Sequence, residues 1–210
     1  YPHYLSPLPS MTIVQMMPDL NDASLQEGVI IPRGTQLRSQ ISKREQTACE
    51  YSTAHEVTLW PLQLSEAEYL ASAGAVANLG LPRKPGLKAG LRLRLHSTAG
   101  LQFSHLALDR LTFFLRGDEI AVQVYEQLRA NVIDVVVQSG RRPVPRKVSN
   151  GSPAIKPQGF EDDQDLLPYT ARSFQGYRFL QENFAFPERL LFVELSQLKP
   201  GVVRGEETER

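Results

Sequence analysis

The chain has 210 residues, with 41% apolar and 22% charged side chains, the ordinary balance of a protein that buries a core. Its 23 basic and 23 acidic residues cancel, so no overall field draws it to nucleic acid or to an anionic membrane surface. Cys49 is the only cysteine, which rules out an internal disulfide and fits a reducing compartment. No apolar run approaches the ~20 residues of a membrane-spanning helix, and no secretion signal opens the chain. Because it starts at Tyr1 and ends in the charged run from Arg204 to Arg210, we expect a piece of a longer protein.

In chain order, the apolar run from Met11 to Met17, bounded by Pro9 and Pro18, predicts a short strand. Val29-Ile30-Ile31 leads into Pro32-Arg33-Gly34-Thr35, where Pro and Gly suit a chain reversal; Leu37 to Ile41 then reads as the returning strand of a hairpin. Ala48 to Ser52 and Glu56 to Leu64 predict two further strands, the second apolar on both faces and so buried on both sides. From Glu66 to Gly90 the composition turns to Ala, Gly and Leu with Pro82 and Pro85, which predicts a short helix through Leu70 and then a long surface loop.

Leu91 to His96 alternates apolar and polar residues, the mark of a strand with one buried face. Leu111 to Leu115 predicts another strand. Asp118 is placed to cap a helix from Glu119 to about Asn131, with Ile120, Val124 and Leu128 on one stripe. The β-branched run from Val132 to Val137 predicts a buried strand, so that residues 91–138 form a compact α+β unit. Four prolines and two glycines between Ser139 and Gln158 exclude helix and central strand there. Ser173 then caps a helix carrying Phe174, Tyr177, Leu180 and Phe184 on one face, Pro187 ends it, and Leu190 to Leu195 is a closing strand. The expected organisation is a β-rich domain over residues 1–85, an α+β unit over 86–150 and a helix–strand segment over 151–210. The fold class is α+β, with β-rich, sandwich-like domains and two main helices.

The motifs that carry chemistry are incomplete. His55-Glu56 starts like a zinc-protease helix, but Leu59 stands where the second imidazole belongs. Ser104, His105 and Asp109 offer hydrolytic side chains without a nucleophile-elbow sequence. His96 and His105 lack a third metal ligand, and Cys49 has no neighbouring base in sequence to activate it. Glu161, Asp162, Asp163 and Asp165 lack the central Gly and terminal Glu of a calcium loop; they suit the positive end of a short helical turn at Gln164 to Leu167. Arg141, Arg142, Arg146, Lys147 and Lys156 make a basic loop without the interleaved aromatics that stack on bases. No catalytic residue, cofactor or metal ligand is therefore expected. The segment from Gly159 to Arg189, rich in aromatics, is built to pack.

Four stretches carry a family resemblance: Pro2 to Met11, Ile31-Pro32-Arg33-Gly34-Thr35, Val57-Thr58-Leu59-Trp60-Pro61-Leu62, and the block from Gly159 to Glu194. In this order they resemble the TssF family (ImpG or VasA), the baseplate subunit of the bacterial type VI secretion system, across nearly the whole chain. The resemblance implies a non-enzymatic wedge component of a contractile injection machine, distantly similar to phage baseplate wedge and baseplate J-like proteins. It implies TssG, a second TssF copy, TssE, TssK and the spike or hub as partners, with no nucleic acid or small-molecule substrate. The implied location is the bacterial cytoplasm at the inner face of the inner membrane, touching the membrane only through the membrane complex. Within that picture Arg141, Arg142, Arg146, Lys147, Glu161, Asp162 and Asp163 are the expected partner contacts. Trp60, Phe174, Tyr177, Leu180 and Phe184 are the expected core anchors. The alternatives from other classes are a β-rich module binding carbohydrate or peptide, and a hydrolase using His105.

Overall fold

The computed structural model describes residues 5–19, 23–41, 47–98, 100–138, 147–168, 170 and 172–202. Residues 7–19 take no regular structure, so the strand expected from Met11 to Met17 does not form. Its apolar residues find no ladder partner, and Val14 and Met17 remain exposed.

The first ordered elements are β1 (Val29–Ile31), β2 (Gln36–Arg38), β3 (Glu50–Ser52) and β4 (Val57–Leu59). The hairpin expected between Val29–Ile31 and Leu37–Ile41 is not present. Instead β1 pairs with β4 and β2 with β3, both antiparallel, with Val29 opposite Leu59 and Gln36 opposite Ser52. The two ladders keep one register, so residues 29–38 and 50–59 form the arms of a single interrupted ribbon. Pro32 to Thr35 is a kink within one arm. Gly34 supplies the positive φ (83°) that a type II bend needs at its third position. The hydroxyls of Thr35 and Thr53 both donate to the Pro32 carbonyl, at 2.7 and 2.8 Å, which ties the kink to the opposite arm.

The strand expected from Glu56 to Leu64 is cut at Trp60-Pro61. After the break, β5 (Leu62–Leu70) pairs antiparallel with β6 (Gly90–Ser97), with an irregularity between Leu64 and Glu66. Residues 66–70 are thus strand rather than helix. The expected long loop holds α1 (Ala73–Ala77), started by the Ser72 hydroxyl accepting the Ala75 N–H at 3.1 Å. Arg92 and Arg94 of β6 face Glu66 and Glu68 across the ladder, with N–O separations from 2.6 to 3.1 Å.

The remaining elements are β7 (Leu111–Phe114), α2 (Glu119–Ala130), β8 (Val136–Gln138), β9 (Lys147–Ser149), β10 (Ile155–Pro157), α3 (Gln175–Ala185), β11 (Phe192–Leu195) and α4 (Lys199–Val202). The start of α2 falls where Asp118 placed it, but its stripe is rotated by one residue. Ala121 is buried while Ile120 is exposed, and Val124, Tyr125 and Leu128 are half-buried. Phe174, not Ser173, occupies the N-cap of α3. In the three-stranded antiparallel sheet, β11 lies between β10 and β7.

The unit expected over residues 91–138 has no sheet of its own. Its strands join three different ladders: β6 with β5, β7 with β11, and β8 with β9. The β5–β6 ladder crosses the boundary expected at residue 85, and the β7–β11 ladder crosses the one expected at 150. The α+β class holds, as several small antiparallel sheets and four α-helices among the described residues.

The core gathers Phe103, Leu106, Leu108, Leu198 and Val202, with Trp60, Leu62, Leu95, Leu111 and Val137 packed around them. Trp60 therefore reaches the core. Phe174, Tyr177, Leu180 and Phe184 do not: they are 71%, 57%, 57% and 84% exposed. The expectation of core anchors on α3 is corrected here. The helix is amphipathic, but its apolar face looks outward.

Candidate assembly surface and the polar clamp beneath it

The orientation of α3 follows from what lies on its other face. Arg178 and Glu182, one turn apart, are fully buried against the chain. Glu182 Oε1 accepts the main-chain N–H groups of Leu166 and Leu167, both at 2.9 Å. The same carboxylate pairs with Arg189, which sits in the 3-10 turn Pro187–Leu190. Arg189 Nη2 donates onward to the carbonyls of Gly159 (2.8 Å) and Gln164 (2.6 Å). Arg178 lies 4.4 Å from the centre of the Phe179 ring, and Phe179 stacks on Phe160 at 5.8 Å. A buried charge is tolerated only when paired and hydrogen-bonded, and the partners of Glu182 fix the helix by its polar side.

The loop held in this way, residues 159–167, is closed from a second direction. The kink at Pro32–Thr35 projects Arg33 onto it. Arg33 donates to the Asp163 carbonyl (2.7 Å), to Asp165 Oδ1 (2.7 Å) and to the Asp165 carbonyl (2.9 Å). The hydrogen bond from Arg33 holds the Asp165 carboxyl below the usual carboxylate range. Within the loop, Gln164 Oε1 accepts the Gly159 N–H at 2.6 Å, and Gln164 Nε2 donates to Gln158 at 2.7 Å. A Cβ at Gly159 would stand 3.1 Å from Arg189 Nη2, and φ there is +95°, so only glycine lets the guanidinium come this close.

His55 borders the clamp. Burial lowers its pKa, and the positive charges of Arg189 and Arg33 lower it further, so the imidazole is held neutral. Burial likewise draws Arg189 down to about 10, with Arg178 adding to the effect. A separate, smaller lock lies at Asp134, which accepts from Lys84 (2.6 Å), the Ser149 hydroxyl (2.8 Å) and the Gly151 N–H (2.9 Å), holding β9 to the segment before β8.

Arg141, Arg142 and Arg146, expected as partner contacts, lie outside the described residues; Lys147 opens β9. Glu161, Asp162 and Asp163 are exposed beside the start of α3, where Asp162 accepts from Gln175. Glu161 is the N-cap of the short 3-10 turn Asp162–Gln164, and Asp162 and Asp163 lie within it, two residues before the turn expected at Gln164 to Leu167. The described residues hold no cluster of three or more His, Cys, Asp or Glu side chains placed to bind a metal. Asp109 of the weighed hydrolytic set accepts the Lys199 N–H at 3.2 Å, engaged at the start of α4.

Sequence reasoning missed Arg33, Arg178, Glu182 and Arg189. The available signal was the position of Arg178 and Glu182 at i and i+4, opposite the aromatic stripe. It identifies a two-faced helix without saying which face turns inward.

Charged side chains here join distant segments of one chain beneath an outward apolar face. The TssF family model of the type VI secretion system matches residues 1–210, and the chain belongs to that family. Type VI secretion system component TssF1 of Pseudomonas aeruginosa is 47% identical over 212 residues, covering 100% of this chain and 34% of that protein. The chain thus spans about a third of the length of that curated relative. A chain of the TssK-TssF-TssG baseplate subcomplex, solved by cryo-electron microscopy, has the same fold over 100% of this chain and 37% of its own length. The TM-score is 0.75 at 21% identity.

Proposed function

We propose that this chain is a load-transmitting part of a non-enzymatic baseplate wedge subunit in the type VI secretion system, assembling with TssG and TssK. The observation that carries the reading is the join between two motif blocks far apart in sequence. Arg33 of the Ile-Pro-Arg-Gly-Thr kink is bonded to Asp163 and Asp165 of the Gly159 to Glu194 block. Short two-stranded ladders are weak alone, and a clamp of this kind makes them act as one stiff body. Family membership and a fold common with a chain of the TssK-TssF-TssG subcomplex support the same reading. A second TssF copy, TssE and the spike or hub complete the proposed set of partners. The proposed location is the cytoplasm, at the inner face of the inner membrane.

The engaged state of Asp109 and the packing of Trp60 into the core favour neither the hydrolase nor the carbohydrate- or peptide-binding alternative. The test is co-expression of the tagged full-length protein with TssG and TssK. Elution of all three at a fixed ratio is expected; elution of the tagged protein alone would contradict the proposal.

A further inference from the structure

The outward face of α3 calls for an occupant. Phe174, Tyr177, Leu180 and Phe184 form a stripe without a charged residue, while the charged residues of the same helix, Arg178 and Glu182, are buried on the opposite side. A helix docked by its polar face leaves its apolar side chains in water unless something else covers them.

About two thirds of the length of the matched relative lies outside this chain, ample to supply a covering segment.

We infer that the α3 stripe is an intramolecular docking face, covered by the remainder of the same TssF polypeptide rather than by a separate subunit. Three features favour this occupant. The stripe is uncharged and aromatic like the interior of a domain, and lacks the polar mixture of a surface that must also exist alone. A covalently linked segment meets it at an effective concentration in the millimolar range, which no free partner matches. The exposed acids Glu161 and Asp162 at one end of the helix ask of the covering segment only an apolar face bordered by basic residues.

The test places a benzophenone amino acid at position 184 of the full-length protein, co-expressed with TssG and TssK, and irradiates the assembly. The inference expects a cross-link within one polypeptide: no added mass on a denaturing gel, and a peptide from 174–184 joined to one outside this chain. A band heavier by TssG, by TssK or by a second TssF copy overturns it. Hydroxyl-radical footprinting of the unmodified full-length protein, at a concentration where light scattering shows a single chain, guards against a misfolded variant. Phe174, Tyr177 and Phe184 should then oxidise at least ten-fold more slowly than in urea. Oxidation at the denatured rate overturns the inference by itself.

Discussion

Glu182 is the side chain on which the clamp turns, since it alone bonds both the loop amides of Leu166 and Leu167 and the Arg189 guanidinium. Removing it leaves Arg189 buried without its counter-charge, so Glu182→Ala should cost about 3–5 kcal/mol, read as a shift in the urea midpoint. The titrating groups give the clamp a pH signature. The folded pKa values of Asp165 and His55 are both depressed. In each case the unfolded chain takes up protons first as pH falls, so stability declines on acidification. The loss due to His55 begins near its ordinary value of about 6.5, and that due to Asp165 near about 3.9. His55→Gln should therefore flatten only the upper part of the decline. Arg33→Met should flatten chiefly the lower part, with a smaller change in the upper part because the Arg33 charge also lowers the His55 pKa. Urea titrations from pH 7.5 to 3 separate the two; an unchanged profile in both variants would contradict the assignment. Gly28 is a further single-residue constraint. Its φ is +87° and an added Cβ would stand 2.7 Å from Thr58 Cγ2 and 2.9 Å from the Trp60 ring. Gly28→Ala should cost at least about 1–2 kcal/mol from the backbone conformation alone, measured by thermal unfolding.

Among the elements, α3 shows where periodicity informs and where it stops. Its spacing marks the helix and the aromatic stripe, but both faces offer an inside, and only the tertiary partners of Glu182, with Arg178 buried beside it, decide between them. Burial predicts the consequence. In the 210-residue chain, Phe184→Ala should change stability by less than about 0.5 kcal/mol, whereas Phe103→Ala, in the core, should cost about 3–5 kcal/mol. Equal losses would place Phe184 inside after all. The strand from Leu91 to His96 and the start of α2 after Asp118 were legible because they rest on local patterns, although the Asp118 side chain makes no capping hydrogen bond. The interrupted ribbon was not. Turn chemistry at Pro32 to Thr35 marks a bend equally well for a hairpin and for a kink in one arm, and the choice lies with Thr53, eighteen residues away from Thr35. The helix expected through Leu70 failed for a similar reason: pairing with β6 overrides the helical preference of Glu66, Ala67 and Glu68.

For the whole molecule, the α+β class and the family were legible, the first from alternating strand and helix patterns and the second from four motifs in order. The site was not, because its members come from residues 33, 55, 159–167, 178, 182 and 189, and no sequence spacing brings them together. Strand order was equally hidden, since the central strand of the only three-stranded sheet among the described residues comes from the end of the chain. What the structure adds to the motifs is a reason for two of them to coexist: the kink around Arg33 and the block after Gly159 are the two halves of one polar joint. The most direct measurement of that joint is hydrogen exchange at the Leu166 and Leu167 amides in the full-length protein, compared with Arg33→Met. A structural clamp predicts exchange as slow as that of the core in the natural protein and at least ten-fold faster in the variant. Exchange at the unprotected rate in the natural protein would contradict it.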